Sequence, residues 1–183
     1  MSEENNKRYS IWGEFDEGST SAIEEIQKMV NLSLKGPLFK THLTLSGFFE
    51  INPEILEDIQ RFSLKQKKLL MKTQSYGMKD KFFQALYIEI EESESLTKLK
   101  KNLDKTLFKN NGEFFPHISL FYGLEDESRK QLVTDKLPLP PEEILLSKLS
   151  IARIEDDIEA WEVIRSFPLI ENITADISLG RPI

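Results

Sequence analysis

Only two histidines occur in the 183 residues. His42 lies in KTHLTLSGFFE (40–50) and His117 in FPHISLFYG (115–123), and both open the pattern His, any residue, Thr or Ser, Leu. A histidine on a short apolar run can be a hydrogen-bonded core residue. Two occurrences in one context argue for more. Along a β-strand side chains alternate faces, so His42 and Thr44 point one way while Leu43 and Leu45 point the other. His117 and Ser119 repeat this against Ile118 and Leu120. Each strand then offers an imidazole and a hydroxyl on one surface and buries two aliphatics on the opposite one.

That pair of groups suits phosphodiester hydrolysis, which needs a base to take a proton from water and an acid to give one to the leaving oxygen. Imidazole, with an ordinary pKa near ~6.5, fills either role at neutral pH, each typically worth ~10²–10⁴ in rate. Thr44 and Ser119 add donors for the nonbridging phosphoryl oxygens as transition-state charge develops. The scheme calls for no metal and no cofactor. With no cysteine in the chain, disulfides, thiolate zinc sites and a cysteine nucleophile are excluded. A zinc hydrolase would have to combine two histidines 75 residues apart with carboxylates, without any His-x-x-x-His set.

The elements that position these groups are readable from periodicity. YSIWGEF (9–15) alternates as a strand, STSAIEEIQKMVNLSL (19–34) has helical spacing closed by Gly36 and Pro37, and HLTLSGFF (42–49) is the first histidine strand. A helix through PEILEDIQRF (53–62) follows, then strands LLMKTQSY (69–76) and FFQALYIEI (82–90). SESLTKLKKNLDKTLF (93–108) is an amphipathic helix leading to the second histidine strand. A short helix through ESRKQLVTDKL (127–137) and strands ILLSKLSIARI (144–154) and AWEVIRSFPL (160–169) complete the order.

Two halves, roughly 9–91 and 82–169, repeat one another within a single domain spanning 1–183. Trp12 precedes His42 by 30 residues and Ile88 precedes His117 by 29. Halves related by a pseudo-twofold axis would bring the histidine strands together with helices on the outside, both imidazoles lining one groove. Trp12 shares its face with Ser10 and Glu14, which places it in the groove, where it could stack on a base or ribose; Phe83 is a second stacking candidate or a core residue. Lys40 could draw an anionic substrate. Trp161 is assigned to the core, and residues 170–183 are left without a place.

With 39% hydrophobic residues the chain can bury a real core, and it lacks a basic-then-apolar start and any run approaching the ~18 apolar residues of a membrane span. A cytoplasmic monomer is expected. The net charge of −7 argues against duplex nucleic acid as partner, leaving small nucleotides or chain ends.

Together YSIWGEF, HLTLSG, HISLFYG and AWEVIRSFPL resemble the 2H phosphoesterases, and within them the cyclic nucleotide phosphodiesterase branch. The resemblance implies an α+β, bilobal fold, antiparallel sheets lining a central groove. It implies hydrolysis of a 2′,3′-cyclic nucleotide or a related cyclic phosphate such as ADP-ribose 1″,2″-cyclic phosphate, with a 2′-phosphate as the nucleotide product. It also implies His117 as base and His42 as acid, and matches Tyr122 to a tyrosine after the second motif; strand parity turns Tyr122 away from His117 unless the strand ends or bulges near Gly123. The alternatives are a module that binds a nucleotide or RNA end without turnover, and RNA 2′,5′-end processing.

Overall fold

The structure, a computed structural model, describes residues 8–108 and 113–172. Among these residues the chain forms seven strands and four α-helices in the order β1 (Arg8–Phe15), α1 (Glu17–Leu34), β2 (Leu43–Phe49), α2 (Pro53–Ser63), β3 (Leu69–Gly77), β4 (Leu86–Ile90), α3 (Glu94–Thr106), β5 (His117–Phe121), α4 (Glu127–Thr134), β6 (Glu143–Ile154) and β7 (Glu162–Pro168). None of the described helices is long and apolar enough to cross a membrane.

Local chemistry sets the boundaries. Asp16 caps α1 by accepting from the Ser19 amide at 3.0 Å, so the helix begins ahead of the Ser/Thr run. Its end is left-handed at Lys35 (φ 34°), and Gly36 follows where a Cβ would lie 2.5 Å from the Phe121 ring. Asn52 caps α2 with Pro53 in its first turn, and Ser93 caps α3. The expected strand over 82–90 is shorter. Residues Phe82–Gln84 turn as a 3₁₀ segment, because the Lys79 amide donates to the Gln84 carbonyl and the Gln84 amide to that of Lys81, closing a loop before β4.

All strand pairs are antiparallel, in the order β1-β2-β5-β4-β3-β6-β7, and β1 also pairs with β6. Six strands therefore form one sheet that closes on itself, with β7 on its margin, where the resemblance implies separate sheets. The histidine strands meet at a narrow seam whose one register pair is Leu43 with Ile118. Exchanging β1 with β4, β2 with β5 and β3 with β6 leaves the pairings among these six strands unchanged, and exchanging α1 with α3 and α2 with α4 as well carries α1–β5 onto α3–β2, α1–β6 onto α3–β3 and α2–α3 onto α1–α4.

One buried cluster joins Ile11, Leu43, Leu45, Ile118 and Leu120 of the sheet to Ile23, Ile26, Val30 and Leu34 of α1 and to Leu96, Leu99 and Leu103 of α3. Beyond β7, Ile170 bridges Lys67 in parallel and Asn172 donates to the Lys68 carbonyl, so the start of the unassigned tail borders the sheet. Residues 173–183 lie outside the described residues.

Ile118 is wholly buried at the seam. Ile118→Ala should lower the unfolding free energy in urea by about 2–5 kcal/mol, and its loss should not add to that of Leu43→Ala, which shares the contact. Simple additivity would show that the seam is not a packed junction.

Candidate active site

Committing Leu43, Leu45, Ile118 and Leu120 to the core turns the alternate residues the other way, where His42, Thr44, His117 and Ser119 all line a groove of about 550 Å³. The imidazoles are held by the same device. His42 Nδ1 lies 2.7 Å from the Lys40 carbonyl oxygen and His117 Nδ1 lies 2.9 Å from that of Phe115, each two residues upstream. A carbonyl only accepts, so Nδ1 carries the donated proton and Nε2 of each neutral ring is left as a base.

Around this common frame the ring neighbours differ. Trp12 lies flat on His42, 3.8 Å between centroids and 11° between planes, with Phe39 edge-on at 6.4 Å. His42 is 5% exposed. Burial pulls its pKa down to about 4, opposed by the Lys40 carbonyl and by Glu14, and helped by charge on His117 and Lys40. His117 is less enclosed: Phe115 stacks at 5.0 Å and Tyr87 meets it edge-on at 5.2 Å. Burial lowers its pKa too, the Phe115 carbonyl opposes this, and Lys79, whose Nζ sits 3.8 Å over the Phe115 ring, lowers it further.

Register identifies the counterpart of Trp12. Trp12 pairs with Thr44 and Tyr87 pairs with Ser119, so Tyr87, 30 residues before His117, occupies the equivalent place. Ile88, the residue matched from sequence, faces the core opposite Ile118. An equal spacing of 30 residues between each aromatic and its histidine was the signal for Tyr87.

The other expected residues sort as follows. Trp12 is in the groove wall but 2% exposed, its ring face taken by His42, which leaves it a clamp on the imidazole more than a platform for a base. Phe83 is 53% exposed at the groove and lies 6.1 Å from Trp161 at 23°. Trp161, assigned to the core, is half-buried against the small cluster of Trp12, Ala152 and Ile154 and also lines the groove. It precedes β7 as the 3₁₀ turn Ile158–Ala160 ends, and its Nε1 donates to the Glu155 carbonyl, so strand parity does not govern it.

Tyr122 reaches the groove because β5 ends at Phe121. Its ring stacks on Phe39 at 4.0 Å, and burial pushes the phenol up to about 12, partly offset by Ser119, so it stays a donor. Lys40 does not line the groove with its side chain. Its Nζ pairs with Glu14 at 2.6 Å, since that carboxylate is 3% exposed and would otherwise be a buried charge; its contribution to the site is its backbone carbonyl. Burial would raise the Glu14 carboxyl, but Lys40, Ser150 and Lys148 outweigh it and hold it below its ordinary range. Arg8, Phe48, Gln84, Glu155 and Asp156 complete the outer wall, and no motif marks them in the sequence. Among the described residues no three His, Cys, Asp or Glu side chains converge to hold a metal ion.

The fold matches 2H phosphoesterase structures over about 90% of the chain at low identity. E. coli LigT complexed with 3′-AMP superposes with a TM-score of 0.64 at 14% identity, covering 89% of this chain and 98% of that one. TT0787 of Thermus thermophilus gives 0.62 at 18%, covering 88% and 97%. A further phosphoesterase gives 0.60 at 14%, covering 90% and 99%. No family model and no curated protein matches the sequence. The likeness establishes the architecture.

Because the folded pKa of His42 lies below its unfolded value near ~6.5, the folded chain binds fewer protons, and stability falls as pH drops from about 6.5 toward 4. The loss assignable to His42 is on the order of 3 kcal/mol. Urea unfolding across this window should show a shallower decline for His42→Asn than for the parent; equal slopes would mean His42 is not held neutral by its surroundings.

Proposed function

We propose that the chain is a cyclic phosphodiesterase that hydrolyses a 2′,3′-cyclic nucleotide or a related cyclic phosphate to a 2′-phosphomonoester without a metal. The carrying observation is that two imidazoles, each locked through Nδ1 with Nε2 free, line one groove with two hydroxyls. LigT, which has this fold, has been determined with 3′-AMP and with phosphate, the first a ribose phosphomonoester of the opposite regiochemistry to the proposed product and the second the bare anion.

In the reaction, water attacks phosphorus while one Nε2 removes its proton. The bond to the 3′ oxygen breaks, and the other ring, protonated, gives its Nε2 proton to that oxygen. Thr44 and Ser119 donate to the nonbridging oxygens as their charge grows. Tyr122, kept protonated, is a further donor next to Ser119. The environments favour His42 as base and His117 as acid, the reverse of the order that the resemblance implies, because the deeper ring under Trp12 resists protonation more strongly. Trp12 and Phe39 keep the imidazole oriented throughout.

Hydrolysis of adenosine 2′,3′-cyclic phosphate in the presence of a chelator tests the reading. His42→Ala and His117→Ala should each lose several orders of magnitude in kcat/KM, whereas retention of near-parent turnover by either variant would end the two-histidine mechanism. Binding of nucleotide without turnover by the parent protein would instead support the binding-module reading. Thr44→Val and Ser119→Ala should each lose ~10²–10³ in rate without changing the shape of the pH profile.

Since burial lowers both imidazoles, kcat/KM should peak on the acid side of neutrality, its alkaline limb falling below the ordinary histidine pKa. A p-nitrophenyl phosphodiester, whose leaving group needs no proton, separates the roles: it should restore activity to His117→Ala more than to His42→Ala. The opposite rescue would return the acid role to His42.

A further inference from the structure

We infer that this groove selects a substrate whose only negative charge is the reacting phosphodiester, and that Glu155 and Asp156 discriminate against substrates bearing additional phosphates. The inference rests on the cyclic phosphodiesterase reading and narrows it to nucleoside cyclic phosphates without a further phosphate.

Charge is distributed unevenly along the groove. At the reacting end, the imidazoles are backed by cations: Lys79 behind Phe115, and Lys40 and Lys148 against Glu14 at 2.6 and 3.4 Å. At the other end, among the described residues, the only lysine or arginine side chain in the wall is Arg8, alongside two carboxylates, Glu155 and Asp156. Arg8 is not a spare cation. Its guanidinium meets Asp156 at 2.5 Å and lies 5.3 Å over the Phe48 ring.

Glu155 pairs with Arg153 at 2.9 Å, but Arg153 is shared with Glu162 at the same distance. Both wall carboxylates belong to the connection between β6 and β7, where Glu155, Asp156, Asp157 and Glu159 fall within five residues. A cleft with low-dielectric walls focuses such a field. A phosphate anchored at the histidines leaves the rest of the molecule to extend toward this rim, where an added phosphate meets net negative charge and finds both Arg8 in the wall and Arg153 beside it already engaged by carboxylates.

The test compares adenosine 2′,3′-cyclic phosphate with its 5′-phosphorylated form and with ADP-ribose 1″,2″-cyclic phosphate. At low ionic strength each added phosphate group should lower kcat/KM roughly tenfold or more, and the gap should narrow as salt shortens the screening length from about 30 Å at 0.01 M to about 8 Å at 0.15 M. The Glu155→Gln, Asp156→Asn double variant should raise kcat/KM for the phosphorylated substrates more than for the unphosphorylated one. Equal or faster hydrolysis of the phosphorylated substrates by the parent, or an unchanged ratio in the double variant, would overturn the inference while leaving the phosphodiesterase reading in place.

If none of the three is hydrolysed, that reading fails by itself and binding still decides this one. The chain's two tryptophans, Trp12 and Trp161, both line the groove, so their fluorescence reports occupancy. Binding of 3′-AMP roughly tenfold tighter than adenosine 3′,5′-bisphosphate at low salt would support the inference, and equal or tighter binding of the bisphosphate would overturn it.

Discussion

Burial of Leu43 against Ile118 at the β2–β5 seam is the constraint from which the site follows. Both are almost wholly buried and stand opposite one another as the one register pair of the two histidine strands. Side chains alternate with a period of two, so fixing these aliphatics in the core obliges the residues on either side to face the groove. A slip of one residue in either strand would bury an imidazole among aliphatics and expose a leucine or isoleucine to the groove. The energetic requirement of the core and the placement of both imidazoles in the groove, on which the proposed chemistry rests, follow from the same register.

Around this common strand order the surroundings of the two histidines differ. Each imidazole is tied to the carbonyl two residues upstream, and each hydroxyl stands beside an aromatic partner on the neighbouring strand, Trp12 for Thr44 and Tyr87 for Ser119. An indole laid flat on His42 removes more water than an edge-on phenol near His117. The proposed acid and base roles need unequal rings, and unequal aromatic packing supplies an inequality without any change in the strands that carry them.

Charge follows a related logic. Glu14 is buried on the groove face of β1 and is tolerable there because Lys40 and Lys148 converge on it. The interior end of the site thus sets two lysines against one carboxylate, while the β6–β7 connection leaves an acidic excess at the rim.

The His-x-Thr/Ser-Leu patterns, their parity and the repeated order of elements determine by themselves which four side chains share a surface and roughly which segments carry them. These are local properties, set by alternation along a strand and by helix periodicity. Only the tertiary structure decided what lies across from them. That Tyr87 and not Ile88 answers Trp12 depends on cross-strand register; that Trp161 reaches the groove wall as well as the small Trp12 cluster depends on a 3₁₀ turn that breaks parity; and that Lys40 turns to Glu14 depends on a buried carboxylate 26 residues away in sequence. The closure of six strands into one sheet rests likewise on the pairing of β1 with β6, between residues more than a hundred positions apart, for which no local pattern in either segment codes.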